Sequence, residues 1–243
     1  MKIIKNIGPF YKLKRVLEEL TPYEKEILEK RKKGDLEGER RAILACSKRW
    51  SGRMVETFEM NIQVEGKENL PEKGPVVFVG NHQGYADIIV CLYVLDGFQT
   101  GFVAKSSLSR IPFYGRWIEN IRSVFIKRED SRASLKAIQE GIQLLEQGFS
   151  LVIFPEGTRS RKREMRSFRK GSLRLATKPE VLIVPFTIDG SYKVFEETGV
   201  LTNGATIRFV IHPPVETKEL TRSQIKQLDD QIENTVRGGL SSQ

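Results

Sequence analysis

Short runs of β-type apolar residues recur along this chain, and the clearest of them are continuous rather than alternating. VVFV at 76–79 and LVIF at 151–154 have no polar face to offer solvent. A strand of that kind must be covered on both sides, which is the condition of a largely parallel sheet sandwiched by helices. Strands are predicted at 76–80, 100–104, 123–127, 150–154, 181–188 and 205–212. Between the third and fourth, Leu135, Ile138, Ile142 and Leu145 mark an amphipathic crossover helix that Gly148 closes. Near the end, Thr221-Arg222-Ser223-Gln224 reads as a capping box, opening a helix with Ile225, Leu228, Ile232 and Val236 inward. Strands alternating with helices in this way predict an α/β domain over 61–243, its central sheet largely parallel.

Residues 1–60 follow a different pattern and are predicted to form a helical extension. Ile3, Ile7, Phe10, Leu13, Leu17 and Leu20 recur every three or four residues, among Lys2, Lys5, Lys12, Lys14 and Arg15. Thr21-Pro22-Tyr23-Glu24 predicts a capped start to a second helix, which Gly34 ends. A third helix carries Leu36, Ile43, Cys46, Trp50 and Met54 on one stripe. Two uses of these helices remain open. Phe10, Tyr11, Trp50 and Met54 sink into a membrane surface while the cations meet anionic lipid, or the stripe packs on the sheet domain.

The formal net charge of +9 asks for an acidic partner: lipid phosphate, nucleic acid or an acidic protein. Nucleic acid is disfavoured, because the fingerprints of its usual binding modules are missing. Two cysteines, Cys46 and Cys91, and two histidines, His82 and His212, leave a four-ligand zinc site hard to build, and no metal or cofactor is implied. The same cysteine count argues against a disulfide framework. The start of the chain lacks the sustained apolar core of a secretory signal. The longest apolar run, 88–95, falls short of the roughly 20 residues a bilayer span needs, so membrane contact is expected at the surface.

Two segments carry chemistry. In NHQGYAD at 81–87, His82 lies at a strand end, where open α/β sheets place their ligands. Histidine changes charge near neutrality and serves as a general base. Asp87 is placed to turn back across the first helical turn and hold one ring nitrogen. The competing reading is a structural histidine with Asp87 as a cap. No G-x-S-x-G elbow occurs and neither cysteine has an evident histidine partner, so His82 is read as activating a hydroxyl on the substrate itself. In FPEGTRS at 154–160, Arg159 offers a forked donor for phosphate, Gly157 permits close backbone approach, and Glu156 is placed to accept from a substrate hydroxyl. Most cations in 161–170 read as a solvated loop. Lys105 and Arg128 end two further strands; each alone is unremarkable, and several on one sheet edge form an anion site.

With these residues in view, the chain resembles the glycerolipid acyltransferases, and most closely the bacterial lysophosphatidic acid acyltransferases. That family shows four ordered blocks. N-H-x-x-x-x-D is met by Asn81, His82 and Asp87. G-x-x-F-I-x-R is met by Phe125, Ile126 and Arg128, with Arg122 where glycine is usual. F-P-E-G-T-R-S is met in full by 154–160, and V-P plus an apolar residue by Val184, Pro185 and Phe186. The resemblance implies that His82 is the general base and Asp87 its partner. It implies that Glu156, Gly157, Thr158 and Arg159, helped by Lys105 and Arg128, bind a glycerol phosphate. It further implies lysophosphatidic acid as acceptor, acyl-CoA or acyl-carrier protein as donor, phosphatidic acid as product, and an address on the cytoplasmic face of the cell membrane. A basic, non-enzymatic membrane-binding module is the other class considered. It explains the charge but gives a His–Asp pair nothing to do. A phosphoester hydrolase would want metal ligands that are scarce here.

Overall fold

A computed structural model describes residues 8, 11, 12, 15, 16, 18–111, 114–127 and 130–241. The described residues before 19 are helical; Phe10 and Arg128 lie outside the described set. Helices α1 (Thr21–Lys32) and α2 (Leu36–Thr57) precede strand β1 (Asn61–Glu65). There follow β2 (Val77–Gly80), α3 (Ala86–Val94), β3 (Thr100–Lys105), α4 (Tyr114–Asn120), β4 (Val124–Ile126), α5 (Ser131–Glu146) and β5 (Ser150–Ile153). The short α6 (Arg174–Thr177), β6 (Ile183–Asp189), β7 (Thr206–Ile211) and the long α7 (Arg222–Ser241) complete the chain.

The seven strands make one sheet in the order β1-β7-β6-β2-β5-β3-β4. β2 pairs parallel with both β5 and β6, β3 pairs parallel with β5 and β4, and β1 pairs parallel with β7. The exception is β6 against β7, where Phe186–Asp189 run antiparallel to Arg208–Ile211. The sheet is therefore α/β and largely parallel, as the continuous apolar runs predicted. Val77, Phe78 and Val79 at its centre are fully buried, each contributing about 1.5–3 kcal/mol of hydrophobic burial. β1 was not foreseen. Its exposed positions Asn61, Gln63 and Glu65 alternate with half-buried Ile62 and Val64, so it carries no apolar run to read. Five strand ends, those of β6, β2, β5, β3 and β4, consequently open on the same edge of the sheet.

The helical extension packs into the domain. Ile43, Cys46, Trp50 and Met54 are buried in the same core as Phe78 and Phe102, and the Trp50 ring lies 4.3 Å from that of Trp117. Trp50 and Met54 are thus core residues rather than membrane contacts; Tyr11 remains exposed. The seam is locked by Glu39, which is fully buried. Its Oε1 accepts from Arg31 Nε and Arg122 Nε, both at 2.7 Å, and its Oε2 accepts from Arg122 Nη2 at 2.8 Å. Arg122 adopts φ 64°, the left-handed conformation that explains why glycine is usual there, and the forked ion pair gives the arginine a use that glycine lacks.

Three local expectations give way. Leu20 rather than Thr21 caps α1, and Thr21 Oγ1 donates to Glu18 O at 3.0 Å, so no capping box forms there. Leu135 and Ile225 begin amphipathic stripes but stay exposed, so burial on each stripe starts further along its helix. The box at 221–224 does form: Gln224 Oε1 accepts from Thr221 N–H at 2.8 Å and Gln224 N–H donates to Thr221 Oγ1 at 3.3 Å.

Candidate active site

His82 sits two residues beyond β2, in the turn that feeds α3. Its Nδ1 lies 2.6 Å from Asp87 Oδ2. Asp87 is fully buried in the first turn of α3, and it is saturated with donors. Oδ2 also accepts from the main-chain N–H of Gln83 at 2.7 Å and of Gly84 at 2.9 Å, while Oδ1 accepts from the Ser191 hydroxyl. The contact fixes which nitrogen of His82 faces inward and leaves Nε2 for chemistry. The ring is 19 % exposed and stacks on Phe154, with centroids 4.2 Å apart and an interplanar angle of 13°.

The second chemistry-bearing segment closes around the same histidine. β5 lies beside β2, so the Phe154–Ser160 turn leaves the sheet next to the 81–87 turn. Glu156 Oε1 accepts from His82 N–H at 2.6 Å, and Ser160 N–H donates to His82 O at 2.7 Å. Glu156 Oε2 accepts from Arg166 N–H at 2.8 Å. The side chain is buried, both oxygens serve the main chain, and desolvation pushes its carboxyl up to about 7. Gly157 takes φ 73°, a conformation that favours glycine.

The cations are less alike than the sequence suggests. Arg159 Nη1 donates to Glu196 Oε1 at 2.7 Å, and its guanidinium carbon lies 3.5 Å from the Tyr85 ring centroid. Glu196 is only 3 % exposed, and Oε1 also accepts from Tyr85 N–H at 2.9 Å. Burial raises its carboxyl while Tyr85 N–H and Arg159 pull it back. Lys105 is exposed at the end of β3, and Thr158 is exposed on the turn. Ser191, Glu196, Tyr85 and Gln83 escaped the sequence reading. Gln83 Oε1 accepts from Gly190 N–H at 2.9 Å, and Asn81 exchanges two 2.8 Å hydrogen bonds with the main chain of Ile188. Both polar side chains therefore bind the His82 turn to β6.

The Acyltransferase family matches residues 61–189, which is more than half of the chain and spans both turns. The chain belongs to the acyltransferase family. Among curated relatives, this acyltransferase is 31% identical over 73% of its length to 1-acyl-sn-glycerol-3-phosphate acyltransferase of Borreliella burgdorferi, covering 70% of that protein. It is 35% identical over 70% of its length to the chloroplastic 1-acyl-sn-glycerol-3-phosphate acyltransferase LPAT1 of Arabidopsis thaliana, and spans about half (47%) of that longer chain. The crystal structure of the 1-acyl-sn-glycerophosphate (LPA) acyltransferase PlsC from Thermotoga maritima superposes with a TM-score of 0.76 at 26% identity, covering 99% of the acyltransferase and 97% of that chain.

Proposed function

We propose that this acyltransferase moves a fatty acyl group from a thioester, acyl-CoA or acyl-carrier protein, to the free hydroxyl of lysophosphatidic acid, yielding phosphatidic acid. The observation that carries the reading is the partly exposed His82 ring, held through Nδ1 by a buried, fully hydrogen-bonded Asp87. The names of the relatives support the acceptor. His82 Nε2 takes the proton from the acceptor hydroxyl as its oxygen attacks the thioester carbonyl. Asp87 stabilises the imidazolium that forms. Collapse of the tetrahedral intermediate breaks the C–S bond, and the departing thiolate takes the proton from His82. No acyl-enzyme is formed. Arg159, Lys105, Arg128, Gly157 and Thr158 receive the phosphate. Glu156 acts through the turn that it holds against His82.

A thiol-release assay tests this, with acyl-CoA and acyl-carrier protein run against phosphorylated and dephosphorylated acceptors. His82→Ala is expected to abolish transfer while remaining folded; a folded variant with near-normal turnover removes the base. The basic module without enzymatic activity leaves the Asp87 network without a purpose and is not favoured.

The docking surface is proposed to be the segment before Val16, on the cytoplasmic face of the membrane, with exposed Tyr11 among its apolar contacts. Among the described residues no helix is long and apolar enough to cross a membrane. Val16 and Leu20 are buried, so deletion of residues 1–12 is the test that spares the core. Unchanged partitioning onto anionic liposomes would refute the docking role.

A further inference from the structure

Arg159 does not face an incoming headgroup as a free cation. Glu196 holds it at 2.7 Å and Tyr85 covers one face of the guanidinium, so Arg159 and Glu196 together present little net charge. A phosphomonoester near neutrality carries roughly −1.5 to −2. Capturing it calls for a cation that no carboxylate already offsets.

Arg169 meets that condition. A Cβ added to Gly157 would fall 2.5 Å from Arg169 Nε and 3.0 Å from Cζ, so the guanidinium lies directly over the turn that grips His82. The main chain of Arg169 is anchored there. Its N–H donates to Pro155 O at 3.0 Å, and its carbonyl accepts from Ser172 Oγ at 2.7 Å. The preceding Phe168 is buried, and its N–H donates to Glu233 Oε2 at 2.8 Å. The side chain is exposed, and among the described residues no carboxylate pairs with it. Of its cationic neighbours, Lys162 pairs with Glu164, Arg163 with Asp189 and Lys170 with Asp230; Arg161 and Arg166 are also without a carboxylate partner among the described residues, but the side-chain atoms nearest a Cβ at Gly157 are those of Arg169. Glycine at 157 thereby has a second use beyond its backbone angle, since any side chain there would push this guanidinium off the turn.

We propose that Arg169 is a second headgroup-binding residue, whose uncompensated guanidinium takes the acceptor's phosphomonoester across the Gly157 turn, beside the Arg159–Glu196 pair. The inference rests on the acceptor proposed above. A donor such as acyl-CoA also carries phosphate, so the acceptor and donor are varied separately. In the thiol-release assay, Arg169→Ala is expected to raise KM for lysophosphatidic acid roughly three- to tenfold, as for one solvent-exposed charged hydrogen-bonding group. Arg169→Lys, which keeps the charge but loses the fork, should recover part of that loss. KM for acyl-CoA should stay within twofold, as should kcat. Monoacylglycerol, which lacks the phosphate, should respond equally poorly to wild type and variant. An acceptor KM within twofold of wild type in both variants would overturn the assignment, and so would a rise confined to the donor KM. Matching melting temperatures for Arg169→Lys and wild type exclude misfolding as the cause. If wild type itself fails to prefer lysophosphatidic acid over monoacylglycerol, the acceptor reading falls and the Arg169 inference falls with it; the variants alone decide the inference when that preference is present.

Discussion

Replacing Asp87 by Asn isolates the charge that the proposed mechanism needs while keeping most of the geometry. The Asn carbonyl still accepts from Gln83 and Gly84 N–H, and its NH2 turns toward Ser191, whose hydroxyl rotates to accept. What is lost is the negative charge 2.6 Å from His82 Nδ1. At an effective dielectric of roughly 20, a full imidazolium at that distance gains about 6 kcal/mol from the carboxylate. The proton is partly transferred in the transition state, so about half of this applies there, roughly 3–4 kcal/mol, or two to three orders of magnitude in rate. Steady-state thiol release with lysophosphatidic acid and acyl-CoA should therefore show kcat falling roughly a hundred- to a thousandfold. The acceptor KM should change little, because Asp87 is buried and touches no proposed phosphate ligand. Thermal melting monitors the fold. A folded Asp87→Asn enzyme with kcat within threefold of wild type would refute the idea that this carboxylate stabilises the protonated histidine.

Two further perturbations probe the frame around the histidine. Ser191→Ala removes one of the four donors to Asp87 and should lower kcat about tenfold with acceptor KM unchanged, since one hydrogen bond to a charged group contributes about 1.5–3 kcal/mol; a loss expressed only in KM would count against it. Glu156→Gln leaves one of the His82 and Arg166 N–H groups facing an NH2, and should lower the melting temperature by roughly 2–4 °C per kcal/mol lost. The pH dependence has a definite sign. Burial raises the Glu156 carboxyl from an ordinary 4.5 to about 7, so the folded state holds this proton more tightly than the unfolded chain. Its contribution to stability is fully present below the unfolded value and is lost as pH rises through 7. The difference in melting temperature between wild type and Glu156→Gln should then narrow from pH 5 to pH 8, and a difference that is flat or widening would refute the burial argument.

Much of this protein was legible in the chain because the signals were local. Continuous apolar runs such as VVFV and LVIF can only be satisfied by cover on both faces, and that requirement alone points to a parallel sheet. The spacing of His82 and Asp87 spans one strand-to-helix turn, so their meeting depends on a few residues of backbone. Where a pattern was compatible with two environments, the sequence left the choice open. The stripe through Trp50 and Met54 suits a membrane surface as well as a core, and only its docking against Trp117 and the sheet decided for the core. Charge was equally ambiguous, since a row of cations in sequence does not say which are offset. Glu196 and Ser191 reach the site from more than a hundred residues beyond His82, carried there because β6 lies next to β2 and opens on the same edge. That adjacency is a product of long-range strand pairing, which no short window of residues encodes. It is what gives Arg159 its carboxylate partner and Asp87 its hydroxyl donor.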